Sequence, residues 1–152
     1  SYDVVGNTDG ITIYYEHETG TDQVNAGGVI TAITANVLSG DFDITQKRSA
    51  QGQMIGAPDI RGDGEYLMKI RRFLPDFITQ TGDTRITLML RNYPNSSAAS
   101  SSLGPFTITS STDKVDTRAR ARAIALKIEN TSSAQNWKLG TFRLDIQPDG
   151  RR

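Results

Sequence analysis

The chain has 152 residues, 36% of them apolar and 22% charged, with no cysteine and a formal net charge of zero. That composition suits a folded globular protein and excludes global disorder, a disulfide scaffold and thiolate metal centres. Zero net charge argues against a nucleic-acid binder that relies on bulk charge, and no apolar run approaches the ~18 residues of a membrane-spanning helix.

The balance hides an asymmetry. Residues 1–76 carry 11 acidic and 6 basic groups, and residues 77–152 carry 6 acidic and 11 basic. An acidic front and a basic back are compatible with head-to-tail self-association. The chain opens on Ser1-Tyr2-Asp3-Val4-Val5, without an initiating Met and without a basic-plus-apolar leader pattern. It is expected to be part of a longer polypeptide.

In chain order, Ile11–Glu16 is an aromatic and β-branched run behind the turn signal Asp9-Gly10, and reads as a strand. A polar turn follows over His17–Asp22. Val29–Val37 alternates, with Val29, Thr31, Ile33, Ala35 and Val37 as its more apolar face. Gly40–Ile44 reads as a short strand with Phe42 and Ile44 on one side. Thr45–Gly64, rich in glycine, reads as a loop excursion with at most a short strand at Gln53–Ile55.

Glu65–Leu74 is a strand candidate with Tyr66, Met68 and Ile70 on one face and Leu67, Lys69, Arg71 and Phe73 on the other. Helix propensity competes there, but Gly-Asp-Gly before and Pro-Asp after leave too short a run. After a turn at Thr81-Gly82-Asp83, Thr84–Asn92 is the cleanest alternation, with Ile86, Leu88 and Leu90 inward. Asn95–Ser102 is a serine-rich exposed loop, Phe106–Thr109 a short strand, and Ser110–Lys114 a turn. In Val115–Arg152, Arg118, Arg120 and Arg122 recur every second residue, and the same parity runs on into Ile124, Leu126 and Ile128. A loop carrying Trp137 leads to a last strand with Phe142, Leu144 and Ile146 on one face.

These elements predict an all-β protein: an antiparallel β-sandwich, jelly-roll-like, with a few extra N-terminal strands and long loops. Residues 1–38 are expected to be N-terminal strands continuing an upstream domain, and residues 39–152 the sandwich domain.

Candidate chemistry is sparse. His17, with Glu16, Glu18 and Asp22 nearby, could ligate a metal, but a single histidine in a polar turn is ordinarily a surface residue. Asp41, Asp43, Asp59, Asp63 and Glu65 could supply calcium oxygens, yet they lack EF-hand spacing. No nucleophile-elbow pattern occurs. No cofactor, no metal and no enzymatic activity are therefore expected. Arg118, Arg120 and Arg122 invite acidic partners: a neighbouring subunit, DNA phosphates, or intradomain groups such as Asp116 and Asp145. Trp137 is either a stacking platform or a core plug. A carbohydrate- or surface-binding module using Trp137, Tyr14 or Tyr93 is the alternative reading of the whole.

Several stretches resemble the structural proteins of tailed-bacteriophage virions, the packaged-DNA stabilisation, head–tail joining and tail nozzle or hub proteins. They are Tyr15–Asp22, Ser39–Ile44, Met68–Phe77, Gly104–Thr107, Asp116–Arg122 and, most specifically, Trp137–Arg152. The resemblance is to the C-terminal portion of such proteins. It implies a structural role in a homo-oligomeric ring of the phage tail or neck, assembled in the bacterial host cytoplasm. Copies of the chain and other tail or neck proteins would be its partners, with possible transient contact with packaged DNA. The interface would draw on Arg118, Arg120, Arg122, Arg143, Arg151 and Arg152.

Overall fold

The computed structural model describes residues 2–6, 12–16, 21–24, 28–44, 66–93 and 101–150. All regular structure among them is β, with no helix, and every strand pairing is antiparallel. His17, Glu18, Gln53–Ile55, Asp59, Asp63, Glu65, Arg151 and Arg152 lie outside the described residues, as do the side chains of Tyr14 and Glu16. The strands β1 (Tyr2–Gly6) and β2 (Thr12–Glu16) form a two-stranded ribbon; β3 (Asp22–Val24) and β4 (Ile30–Ala32) form another.

Two larger sheets make the sandwich. One has three strands, with β6 (Met68–Leu74) between β10 (Val115–Ala121) and β13 (Arg143–Pro148). The other runs in the order β5 (Asn36–Leu38), β11 (Ala123–Glu129), β8 (Thr84–Arg91), β9 (Ser101–Ile108). Their inner faces share one core, in which Met68, Ile70, Phe73, Ile86, Leu88, Ile108, Ile124 and Ile128 are almost wholly shielded from solvent. On β8 and β11 the pairs Ile86↔Ile128, Leu88↔Leu126 and Leu90↔Ile124 put apolar side chains directly opposite one another, each burial worth about 1.5–3 kcal/mol. Phe73 anchors the other sheet, stacked on Phe142 at 5.4 Å and edge-on to Phe106 at 5.5 Å.

Simple alternation fails at several places, each for a local reason. Phe73 does not share a face with Lys69 and Arg71: it is buried with Ile70, whereas Lys69 and Arg71 are exposed. The ladder skips at this point, Asp145↔Arg72 being followed by Ile146↔Ile70. The extra residue is a β-bulge that reverses the parity of β6. The run Val115–Glu129 is likewise not one strand. It leaves the three-stranded sheet at Ala121 and enters the four-stranded sheet at Ala123, where the Arg122 amide donates to the Arg91 carbonyl at 3.0 Å. Before the corner, Thr117, Ala119 and Ala121 are buried; after it, Ile124, Leu126 and Ile128 are. The arginines and the isoleucines of one sequence parity therefore face opposite ways. Strands that change sheet make such corners, and small alanines on either side let the chain turn through the packed interior.

A second corner was hidden in apparent loops. The strand β7 (Phe77–Thr81) continues β6 beyond Pro75-Asp76 and pairs with β12 (Asn136–Leu139), so Trp137 sits on a strand, not in a loop. At the bend the Gly140 amide donates to the Asp76 carbonyl at 2.7 Å, and a Cβ on Gly140 would stand 2.9 Å from that oxygen. Only glycine allows the two backbones to come so close. Ser101 and Ser102, expected in the serine-rich loop, belong to β9, paired with Leu90 and Met89. Gly40–Ile44 holds a single bridge, Phe42↔Ile124, in place of a strand.

Val29–Val37 also departs from expectation. It forms two short strands, β4 and the start of β5, and its apolar side is exposed. The break between the two strands falls at Asn130, which is 3% exposed. Its Oδ1 accepts from the Ala35 amide at 3.1 Å and its Nδ2 donates to the Ile33 carbonyl at 2.9 Å. A side chain thus takes the bonds that a longer ladder would use. Asn36–Leu38, on the N-terminal side of the expected boundary at 38/39, is hydrogen-bonded into the four-stranded sheet through β11.

Candidate interaction surfaces

The outward side of the three-stranded sheet is polar throughout. Lys69 and Arg71 on β6 and Arg118 and Arg120 on β10 are exposed, while Arg72 is half-buried. Arg72 lies between two carboxylates, with Nε 3.5 Å from Asp145 and 3.8 Å from Asp116. That Nε is buried and makes no hydrogen bond, so these contacts are charge pairs alone. Arg120 Nε reaches the Asp149 carboxylate at 2.6 Å, and its Nη2 donates to the Asp149 carbonyl at 3.2 Å. Pairs this exposed contribute little to stability, about 0–1 kcal/mol each. The expected intradomain partners Asp116 and Asp145 are therefore used, but by Arg72.

Lys69, Arg71 and Arg118 form no ion pair with a described residue. With Arg72, Asp116 and Thr117 they line a shallow depression of about 420 Å³. Thr117 turns inward, its hydroxyl donating to the Ile70 carbonyl at 3.2 Å. Lys69 stands directly opposite Arg120 in the β6–β10 register, a cross-strand like-charge pair whose Arg120 member is already neutralised by Asp149.

Of the six sequence-selected arginines four are described, and they do not line one depression or groove. Arg118 and Arg120 share the face just described. Arg122 is half-buried at the corner between the sheets. Arg143 opens β13 and lines a different groove, of about 450 Å³, along the bend between β6 and β7 with Asp76, Ile78 and Asp113. Arg151 and Arg152 are not among the described residues.

The second surface is apolar. Val29, Ile30, Ile33, Val37 and Leu38 are 58, 62, 47, 51 and 54% exposed. They form a ridge along β4 and β5, and β5 is a terminal strand of its sheet. Beside it, Ile33, Ala35 and Val37 line a groove of about 300 Å³ with Asn130, Gln135 and Trp137. Trp137 is half-buried, packs edge-on to Phe77 at 6.3 Å, and donates Nε1–H to Asn130 Oδ1 at 3.3 Å. One indole thus both braces the core and walls the groove. Asn130 is the residue that sequence reasoning missed. Its position just past the end of a strand resembles that of any strand-ending asparagine, and its three partners lie far off in the chain or across a turn.

Asp41, weighed as a calcium ligand, is engaged by Arg91, whose Nε lies 2.9 Å from each carboxylate oxygen. Among the described residues no three His, Asp or Glu side chains come together as a metal site, and no helix is long and apolar enough to cross a membrane. Neither a protein-family model nor a curated protein sequence matches the chain.

Proposed function

We propose that this chain is a non-enzymatic structural domain of a tailed-bacteriophage virion, of the tail-nozzle, hub or DNA-stabilisation type, acting in a homo-oligomeric ring. The likeness of Trp137–Arg152 and the other stretches to such proteins supports the virion assignment. One observation supports self-association: five exposed apolar residues between Val29 and Leu38, two of them on the edge strand β5, with a tryptophan-walled groove beside them. Contiguous apolar patches of this kind mark contact surfaces, and buried aromatic anchors dominate their energetics. The occupant of the ridge is a neighbouring copy. The acidic front and basic back favour a head-to-tail contact, which closes into a ring when the rotation between copies allows it. We read the sandwich as jelly-roll-like and its site of assembly as the host cytoplasm.

Electron microscopy of the purified chain tests this reading. Closed rings of uniform size, matching a ring on the axis of purified particles, are expected. A chain that stays monomeric and is missing from particles would end it. Carbohydrate stacking on Trp137 finds less support, since the ring is half-buried and packed edge-on to Phe77.

A further inference from the structure

We propose that the segment ending at Ser39, which carries β3, β4 and β5, is an exchangeable arm that pairs with β11 of a neighbouring copy. This inference rests on the self-association proposed above and names the strand that crosses between copies. The sandwich core is complete without the arm. No core residue, and no partly buried apolar residue packed on the core, lies between Gly28 and Leu38. Within that span every residue is exposed except Ala32, which is half-buried. Hydrogen bonds, not buried side chains, hold the arm in place. β5 meets β11 through three register pairs, Asn36↔Glu129, Val37↔Ile128 and Leu38↔Lys127. The Ser39 amide donates to the Leu126 carbonyl and Ser39 Oγ accepts from the Leu126 amide, both at 2.8 Å. Asn130 grips Ala35 twice: its own amide donates to the Ala35 carbonyl, and its Oδ1 accepts from the Ala35 amide, both at 3.1 Å. Asp22 accepts from the Ala134 amide at 2.8 Å.

The arm also has a hinge. Gly40 stands between the Ser39 attachment and Phe42, which bridges Ile124, and an added Cβ on Gly40 would meet nothing within 4 Å. An unpacked glycine at the end of a strand can absorb the backbone rotation that swings the arm outward. The partner is a second copy because each copy offers the same β11 edge and the same Asn130. An exchanged arm regains every bond it gave up, so the exchange costs little. Its gain is apolar. On a retained arm Val29, Ile30, Ile33, Val37 and Leu38 face water. An arm reaching across to the next copy sets them at the junction of two sandwiches, where water is excluded. Passed from each copy to the next, the arm makes the head-to-tail contact that closes a ring.

The test is disulfide trapping, which the absence of native cysteine makes unambiguous. Leu38 and Lys127 are direct register partners, and paired antiparallel Cα atoms stand about 4.5–5.5 Å apart, within the span of a disulfide. Leu38→Cys/Lys127→Cys is oxidised at a concentration where sedimentation shows assembly, then run on a denaturing, non-reducing gel. Covalent oligomers that collapse to monomer on reduction are expected. Leu38→Cys protein mixed with Lys127→Cys protein before oxidation should give the mixed disulfide in excess over either homodimer. Leu38→Cys/Thr87→Cys, two strands and roughly 9–10 Å apart, should stay without cross-links. Thermal melts establish that each variant folds, and the adjacent pair Asn36→Cys/Glu129→Cys takes over if the first does not. Disulfides confined within single chains of an assembled protein would overturn the exchange and leave self-association standing. The same disulfides in a protein that sediments only as a monomer would overturn both. Leu38–Leu38 disulfides in place of mixed ones would also overturn the exchange, since ridges that merely touch produce them.

Discussion

The face around Lys69, Arg71 and Arg118 and the ridge from Val29 to Leu38 come from the same period-two patterning, yet they are chemical opposites. On β6 and β10 the alternation has a second sheet beneath it. One set of side chains fills the core and the other, charged, set meets water. On β4 and β5 no described layer covers either set, and apolar side chains of both parities are exposed, Ile30 with Val29 and Leu38 with Val37. Alternation therefore announces a strand but not a burial. What a face does depends on whether the fold sets another layer against it, and an apolar face left bare is a place for another molecule.

The basic face and the edge strand β5 sit on the two sheets that share one core, so the largest perturbation should disturb both. Phe73→Ala deletes a fully buried ring and two aromatic contacts, and a loss of about 3–5 kcal/mol is expected in chemical denaturation. Retention of full stability would mean that β6 is not seated as described.

Asn130→Ala separates the surfaces. It strips the carbonyl of Ile33 and the amide of Ala35 of their partner and frees the Trp137 indole, a cost of about 0.5–1.5 kcal/mol per hydrogen bond, because these part-buried groups can turn to water instead. Hydrogen exchange should quicken selectively at residues 33–38 while β6 and β10 keep their protection. Uniform loss across both sheets would show instead that Asn130 braces the whole sandwich.

These variants also mark how far the sequence could be read. The class of fold was legible because β8 alternates without interruption and pairs residue for residue with β11. The bulge at Arg71–Arg72 was not, since an inserted residue leaves no local signature beyond a shift of parity, and Phe73 was misplaced with it. The corner at Arg122 was invisible for a related reason: apolar and arginine residues held one parity while the chain changed sheet. The strands β7 and β12 were missed because Pro75 and Gly140, ordinary breaker signals, here mark a bend in a paired ribbon. Of the interface residues, Arg118 was legible as an exposed strand cation. Its grouping with Lys69 and Arg71 was not, because it depends on cross-strand register.

The smallest effect expected is at the turn beside the groove. Ala134 has φ of 58°, held there by its amide donating to Asp22 at 2.8 Å and by Gln135 accepting from Thr131 and Ser132. Ala134→Gly relieves the left-handed conformation and should stabilise the chain by up to about 1 kcal/mol in thermal melts. A decrease would show that the strain is offset by contacts of the methyl group.

Sedimentation velocity on three forms of the chain tests the central claim that the apolar ridge, and not the basic face, carries self-association. The unaltered chain and Lys69→Gln/Arg71→Gln/Arg118→Gln should assemble alike with rising concentration, while Ile30→Lys/Val37→Lys should remain monomeric. A monomeric unaltered chain, or assembly that vanishes with the basic face and survives loss of the ridge, would contradict it.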